Sequence, residues 1–96
     1  MDELFQAEWC PHSRRVRQRL TELGVSFVAR QVPADPAERQ ELRTRTGSNE
    51  IPALLLDDGS VINTDAGDIV AYLDERYAER PDAALHRERA EEHAGA

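Results

Sequence analysis

The stretch Leu4–Val16, LFQAEWCPHSRRV, decides the fold. From Leu4 to Trp9 apolar and polar residues alternate loosely, as they do in a half-buried strand. The alternation stops at Cys10-Pro11. Proline suits the first turn of a helix, where its missing N–H is not needed, and beyond it Val16, Leu20 and Leu23 recur at helical spacing until Gly24. The reading is strand, tight turn, helix, with the chain's single cysteine in the turn. Ser13 stands three positions later, where a partner thiol would complete a Cys-x-x-Cys pair.

Working outward, Val25–Val32 is rich in β-branched and aromatic residues and predicts a second strand. Asp35-Pro36-Ala37-Glu38 has the form of a capping box with proline at the first helical position, predicting a second helix that ends near Gly47. Ile51–Leu56 is a short apolar run closed by the turn signal Asp57-Asp58-Gly59, after which Ser60-Val61-Ile62 returns as the other arm of a hairpin. From Thr64 or Asp65, the residues Ala66, Ile69, Val70, Leu73 and Tyr77 mark one side of a third helix that ends before Pro81. Residues 81–96 are charged and Ala-rich, with Leu85 their only large apolar side chain, and are expected to form a mobile or loosely helical tail with no face to bury. The order is βαβ, helix, ββ, helix. It predicts an α/β domain over residues 1–80 with a mixed four-stranded sheet flanked by helices.

Composition narrows the function classes. Ninety-six residues make one small domain, expected to act as a monomer. A formal net charge of -7 opposes binding to nucleic acid or to an anionic membrane surface. The longest apolar run is far short of the roughly 20 residues that span a bilayer. One cysteine forms no internal disulfide, and no basic start leads into an apolar run, so a cytoplasmic location without a signal peptide is expected. All twelve basic residues are arginine, which bars Schiff-base chemistry through lysine.

A cysteine at a helix start faces unsatisfied backbone N–H groups and the positive end of the dipole, both of which favour the thiolate. Arg14, Arg15 and His12 lie within one turn and add to that field. With Ser13 in the second place, Cys10 exchanges with one outside thiol at a time, because serine cannot resolve a mixed disulfide. The plainer alternative is that Cys10 is a small buried hydrophobe.

Taken together, Cys10-Pro11-His12-Ser13, Ile51-Pro52 and Thr64-Asp65, in this order of elements, resemble the thioredoxin fold, and within it the glutaredoxins and the N-terminal domains of glutathione transferases. The resemblance covers residues 3 to 78. It implies a monothiol mechanism with Cys10 as nucleophile. It implies a cis-proline at Pro52, with Ile51 presenting its backbone to a cysteinyl thiol. It also implies that Thr64-Asp65 and the following helix start hold the thiol's α-amino acid end. Glutathione or another low-molecular-weight thiol is the implied co-substrate, proteins carrying mixed disulfides are the implied partners, and no resident cofactor or metal is expected.

Three residues depart from the pattern. Ala7 replaces a usual lysine, His12 a usual aromatic, and Glu50 a usual basic residue or threonine, so two handles for the glycyl carboxylate of glutathione are missing or reversed. Arg43, Arg45 and Asn49 are the nearby substitutes, and γ-glutamylcysteine or mycothiol are the alternative thiols. Other readings are a transferase, for which the stretch after the third helix supplies no second helical domain; an iron-sulfur site, disfavoured by Pro11; a zinc set of Cys10 with His12, His86 and His93, whose spacing fits no zinc motif; and a non-catalytic binding module.

Overall fold

The computed structural model describes residues 1–94. Its elements are β1 (Glu3–Gln6), α1 (Pro11–Glu22), β2 (Val28–Gln31), α2 (Gln40–Thr46), β3 (Ala53–Leu55), β4 (Val61–Ile62), α3 (Ala66–Arg76) and α4 (Ala83–Glu92). One sheet runs β2-β1-β3-β4. β1 pairs parallel with β2, with Glu3 opposite Val28, and antiparallel with β3, with Leu4 opposite Leu54. β4 pairs antiparallel with β3. This is the thioredoxin-like α/β arrangement that the sequence predicts.

Strand alternation sends neighbouring residues to opposite faces of the sheet. Leu4 and Leu54 join Val16, Leu20, Leu23, Ile69 and Leu73 in a core beneath α1 and α3. Phe5, Ala53 and Leu55 join Leu42 of α2 in a smaller one on the other face. The helices therefore grip the sheet from both sides, and the loops at the ends of β1 and before β3 are left to form a site.

Several elements are shorter than the sequence predicts. β1 stops at Gln6 because the chain turns there: the Ala7 carbonyl accepts from Cys10 N–H at 3.1 Å, and Trp9 is exposed. The second strand begins only at Val28, while Val25 and Phe27 pack on the core as irregular chain. Asp35 caps a single 3-10 turn, Pro36–Glu38, and α2 starts separately at Gln40. The break is at Arg39, whose buried guanidinium donates to the carbonyls of Pro33 (2.8 Å), Ala34 (3.2 Å) and Asn49 (3.0 Å). Gly47 ends α2 in the left-handed region at φ 79°, which glycine adopts without strain. α3 ends at Arg76, with Tyr77 extended.

Of the mobile or loosely helical tail expected over residues 81–96, Ala83–Glu92 form the helix α4, and the expected lack of a buried face is what the structure corrects, since α4 packs on α1. Its apolar share is small, since Ala83 is its only buried residue and Leu85 is exposed. Charge attaches it. Arg87 of α4 bonds Glu79 at 2.6 Å and Glu22 of α1 at 3.1 Å, while Arg19 of α1 bonds Glu22 (2.7 Å), Asp74 of α3 (2.6 Å) and Glu79 (2.6 Å). Hydrogen bonds from Arg87 and Arg19 bring Glu79 from an ordinary 4.5 to about 2. Burial pushes Glu22 up, but bonds from Gln18, Arg19 and Arg87 outweigh it and hold the carboxyl below its ordinary value. Such a network joins residues far apart in sequence, which no local periodicity reveals. Residues 95 and 96 lie outside the described part.

Candidate active site

Cys10 is the N-cap of α1, with extended backbone, and Pro11 is the first helical residue. The Ser13 N–H donates to Cys10 Sγ at 3.5 Å, so the thiol takes the place that an N-cap oxygen ordinarily fills. Ser13 is fully buried, and its Oγ accepts the Ala7 N–H at 3.4 Å, tying the end of β1 to the start of α1. Pro11 is exposed.

Cys10 is 6% exposed, and burial pushes its thiol up. Four other influences oppose that and bring it below the ordinary thiol value: the Ser13 hydroxyl, the backbone N–H groups of Ser13 and His12, and the charge of Arg17. The cation differs from the one expected. Arg14 and Arg15 are exposed and form no ion pair among the described residues, whereas Arg17 is half-buried. Arg17 is held in place by the side chain of buried Gln6 and by the carbonyls of Ala7 (3.3 Å) and Glu8 (3.4 Å). Gln6 is oriented in turn by a bond to Gln31 at 3.1 Å. Arg17 follows Ser13 by four residues, so helical spacing alone puts the two on one face. That signal was available in the sequence.

Ahead of β3, the Ile51-Pro52 peptide bond is cis. Pro52 is buried and Ile51 half-buried against the α2-side core. Arg39 holds the approach to it through the Asn49 carbonyl, a role with no signature in the sequence. The substitutes considered for the missing carboxylate handles are committed elsewhere: Arg43 bonds the Asn49 side chain at 3.2 Å and the carbonyls of Pro36 and Ala37, and Arg45 bonds both Glu3 oxygens at 3.1 and 2.7 Å. Asn49 is thereby also occupied.

Asp65 is the N-cap of α3, its Oδ1 accepting the Asp68 N–H at 2.8 Å. A Cβ on Gly67 would stand 3.1 Å from that oxygen, closer than side chains normally approach, so glycine leaves the cap its room. The Thr64 hydroxyl bonds the Asp68 carboxylate. Thr64 therefore braces the helix start from within.

A cavity of about 210 Å³ lies between the cis-proline loop and the start of α3, lined by His12, Glu50, Ile51, Pro52, Asn63, Thr64, Asp65 and Ala66. Five of the eight residues proposed from sequence line it: His12, Ile51, Pro52, Thr64 and Asp65. Cys10, Pro11 and Ser13 are not in its wall; His12, which follows the Cys10 cap by two residues in the first turn of α1, is. Glu50, Asn63 and Ala66 are added by the structure. The metal set drawn from the histidines does not assemble. His86 pairs with Asp82 on α4 at 3.2 Å, and among the described residues no three His, Cys, Asp or Glu side chains gather as metal ligands.

A parallel βαβ start, a cysteine capping α1 and a cis-proline ahead of β3 define a protein of thioredoxin-like fold whose single cysteine stands at the start of its first helix. The chain belongs to the family of the glutathione S-transferase N-terminal domain, whose model matches residues 4–81. It is similar to glutaredoxin 3 of Escherichia coli (strain K12), with 31% identity over 55 residues that span 57% of this chain and 66% of that protein. A solved glutathione transferase family member from Pseudomonas fluorescens Pf-5, with bound glutathione, is 32% identical at a TM-score of 0.63, covering 84% of this chain and 40% of that one. A delta-class glutathione transferase from Nilaparvata lugens shares the fold at a TM-score of 0.70 and 20% identity, over 86% of this chain and 38% of that one.

Proposed function

We propose that the protein is a thiol-disulfide oxidoreductase of glutaredoxin type that acts through Cys10 alone. In the first step the Cys10 thiolate attacks the small-thiol sulfur of a protein mixed disulfide. The protein sulfur leaves as thiolate and takes a proton from solvent, and Cys10 becomes disulfide-bonded to the small thiol. A second small thiolate then attacks that small-thiol sulfur, releases a symmetric small disulfide and regenerates Cys10. In net, one free small thiol is oxidised and the protein sulfur is reduced, the small thiol already in the mixed disulfide ending as the other half of the symmetric disulfide, and no resident cofactor takes part. The cytoplasm, where small thiols are kept reduced, suits this cycle.

The observation that carries the reading is the thiol's position: a cysteine at a helix start whose surrounding donors outweigh its burial. The cavity supplies the second half. In this reading the Ile51 backbone ahead of Pro52 pairs the cysteinyl part of the thiol. Asp65 keeps Oδ2 for its ammonium group, while the α3 N–H groups face its carboxylate. Glutathione, or a thiol of that type, is the co-substrate.

The monothiol route is tested by Ser13→Ala. The variant loses one donor to the thiolate and the acceptor for Ala7 N–H. Reduction of a glutathionylated peptide by excess thiol should fall only about twofold to tenfold, in line with the loss of about one hydrogen bond. Complete loss would remove the single-cysteine mechanism.

A further inference from the structure

We propose that Glu50 selects the small thiol by charge, so that the cavity prefers a cysteinyl thiol whose end beyond the cysteine is neutral or cationic over one that ends in a carboxylate. This rests on the exchange reaction proposed above and names the class of thiol it uses. The charged carboxylates in the cavity wall are Glu50 and Asp65, and no arginine lines it. Asp65 spends one oxygen on capping α3. Glu50 is exposed, forms no ion pair among the described residues, and is tied down only through its backbone N–H, which donates to Ser48 Oγ at 3.1 Å. Its charge is therefore open to whatever lies beside Ile51 and Pro52.

The arginines nearest to Glu50 in sequence point their guanidinium groups at other partners and not into the cavity. Arg39 is buried on three backbone carbonyls, and Arg45 closes on both oxygens of Glu3. Arg43 is turned toward Asn49 and the 3-10 turn. The remaining nearby guanidinium is Arg15, whose Nη1 lies 3.6 Å from where a Cβ on Gly67 would stand. That places a cation on the α3 side of the site, beside Asp65, whereas on the Glu50 side Arg39 and Arg43 are turned to Asn49 and the chain behind it, outside the cavity wall. An amino acid head with ammonium and carboxylate finds both charges matched at α3. A second carboxylate at the other end meets Glu50 in a cavity where water screens only part of the repulsion.

The test uses mixed disulfides of one peptide thiol with glutathione and with its glycyl carboxamide, which differ by a single charge and hardly in shape. Release of the peptide thiol is followed with the full chain and with Glu50→Gln and Glu50→Arg. The wild type should use the carboxamide with a kcat/KM about tenfold above that for glutathione, equivalent to one partly screened charge contact. Glu50→Gln should bring the ratio close to one, Glu50→Arg should reverse it, and added salt should shrink it in the wild type. Equal use by the wild type, a preference for glutathione, or a ratio unchanged by Glu50→Gln overturns the assignment while leaving the exchange reaction standing. Absence of Cys10-dependent release from both disulfides overturns the exchange reaction itself, and the assignment with it.

Discussion

Replacing Cys10 by serine should abolish thiol exchange, reducing turnover of any mixed disulfide to the uncatalysed background, while the fold stays intact. A serine hydroxyl is not ionised at neutral pH, and no second cysteine exists to take over. The helix has little reason to suffer. Serine is among the preferred N-cap residues, and its Oγ replaces Sγ as acceptor for the Ser13 N–H. Turnover measured beside a thermal melt separates the two effects: activity lost at an almost unchanged Tm is the expected pair. Substantial residual exchange in Cys10→Ser would mean that the chemistry does not pass through this thiol.

The second large effect is on stability. Leu20 is fully buried where α1 meets the core, packed with Leu4, Val16, Leu54, Ile69 and Leu73. Leu20→Ala removes three carbons from that contact and should cost about 3 kcal/mol, within the usual span of roughly 2 to 5 for leucine truncation in a close-packed core. For a domain of this size each kcal/mol moves Tm by roughly 4 to 8 °C, so a fall on the order of 15 °C is expected in a calorimetric scan. A shift of only one or two degrees would show that α1 is not anchored through this face. Because Cys10 and Arg17 both ride on α1, the site depends on the same packing.

The parts of the fold that were legible in sequence are those with local causes. Pro11, the spacing of Val16, Leu20 and Leu23, and the Asp57-Asp58-Gly59 turn each act within a few residues of themselves, and α1 and the β3-β4 hairpin follow. The parts that were not legible depend on partners distant in the chain. α4 is held by Arg87 reaching back to Glu22, and the helix predicted from Asp35 is interrupted because Arg39 is drawn to the carbonyls around Pro33 and Asn49. The loop at Ala7 replaces the predicted end of β1 through closer partners that apolar alternation does not register, since its N–H goes to Ser13 and its carbonyl to Cys10.

The site divides in the same way. Cys10, Pro52 and Asp65 could be singled out because they occur together in an order and spacing that resembles a known family, although a proline at a strand start and an aspartate at a helix start also have ordinary structural uses. Arg17 was passed over for Arg14 and Arg15, which are closer in sequence but exposed. Closeness along a helix is a poor guide to direction; the four-residue step from Ser13 is the better one. Glu50 was visible as an oddity, and the cavity turns it into a feature of the wall.

The central claim is that the start of α1 holds Cys10 as a reactive thiolate, and the rate of its alkylation by iodoacetamide as a function of pH tests this most directly. A thiol whose pKa is lowered is ionised at lower pH, so its alkylation rate reaches its plateau earlier. An inflection clearly below the ~8.5 of a free cysteine is predicted, moving upward when Arg17 is replaced by methionine. An inflection at ~8.5 or above in the wild-type protein would contradict the account.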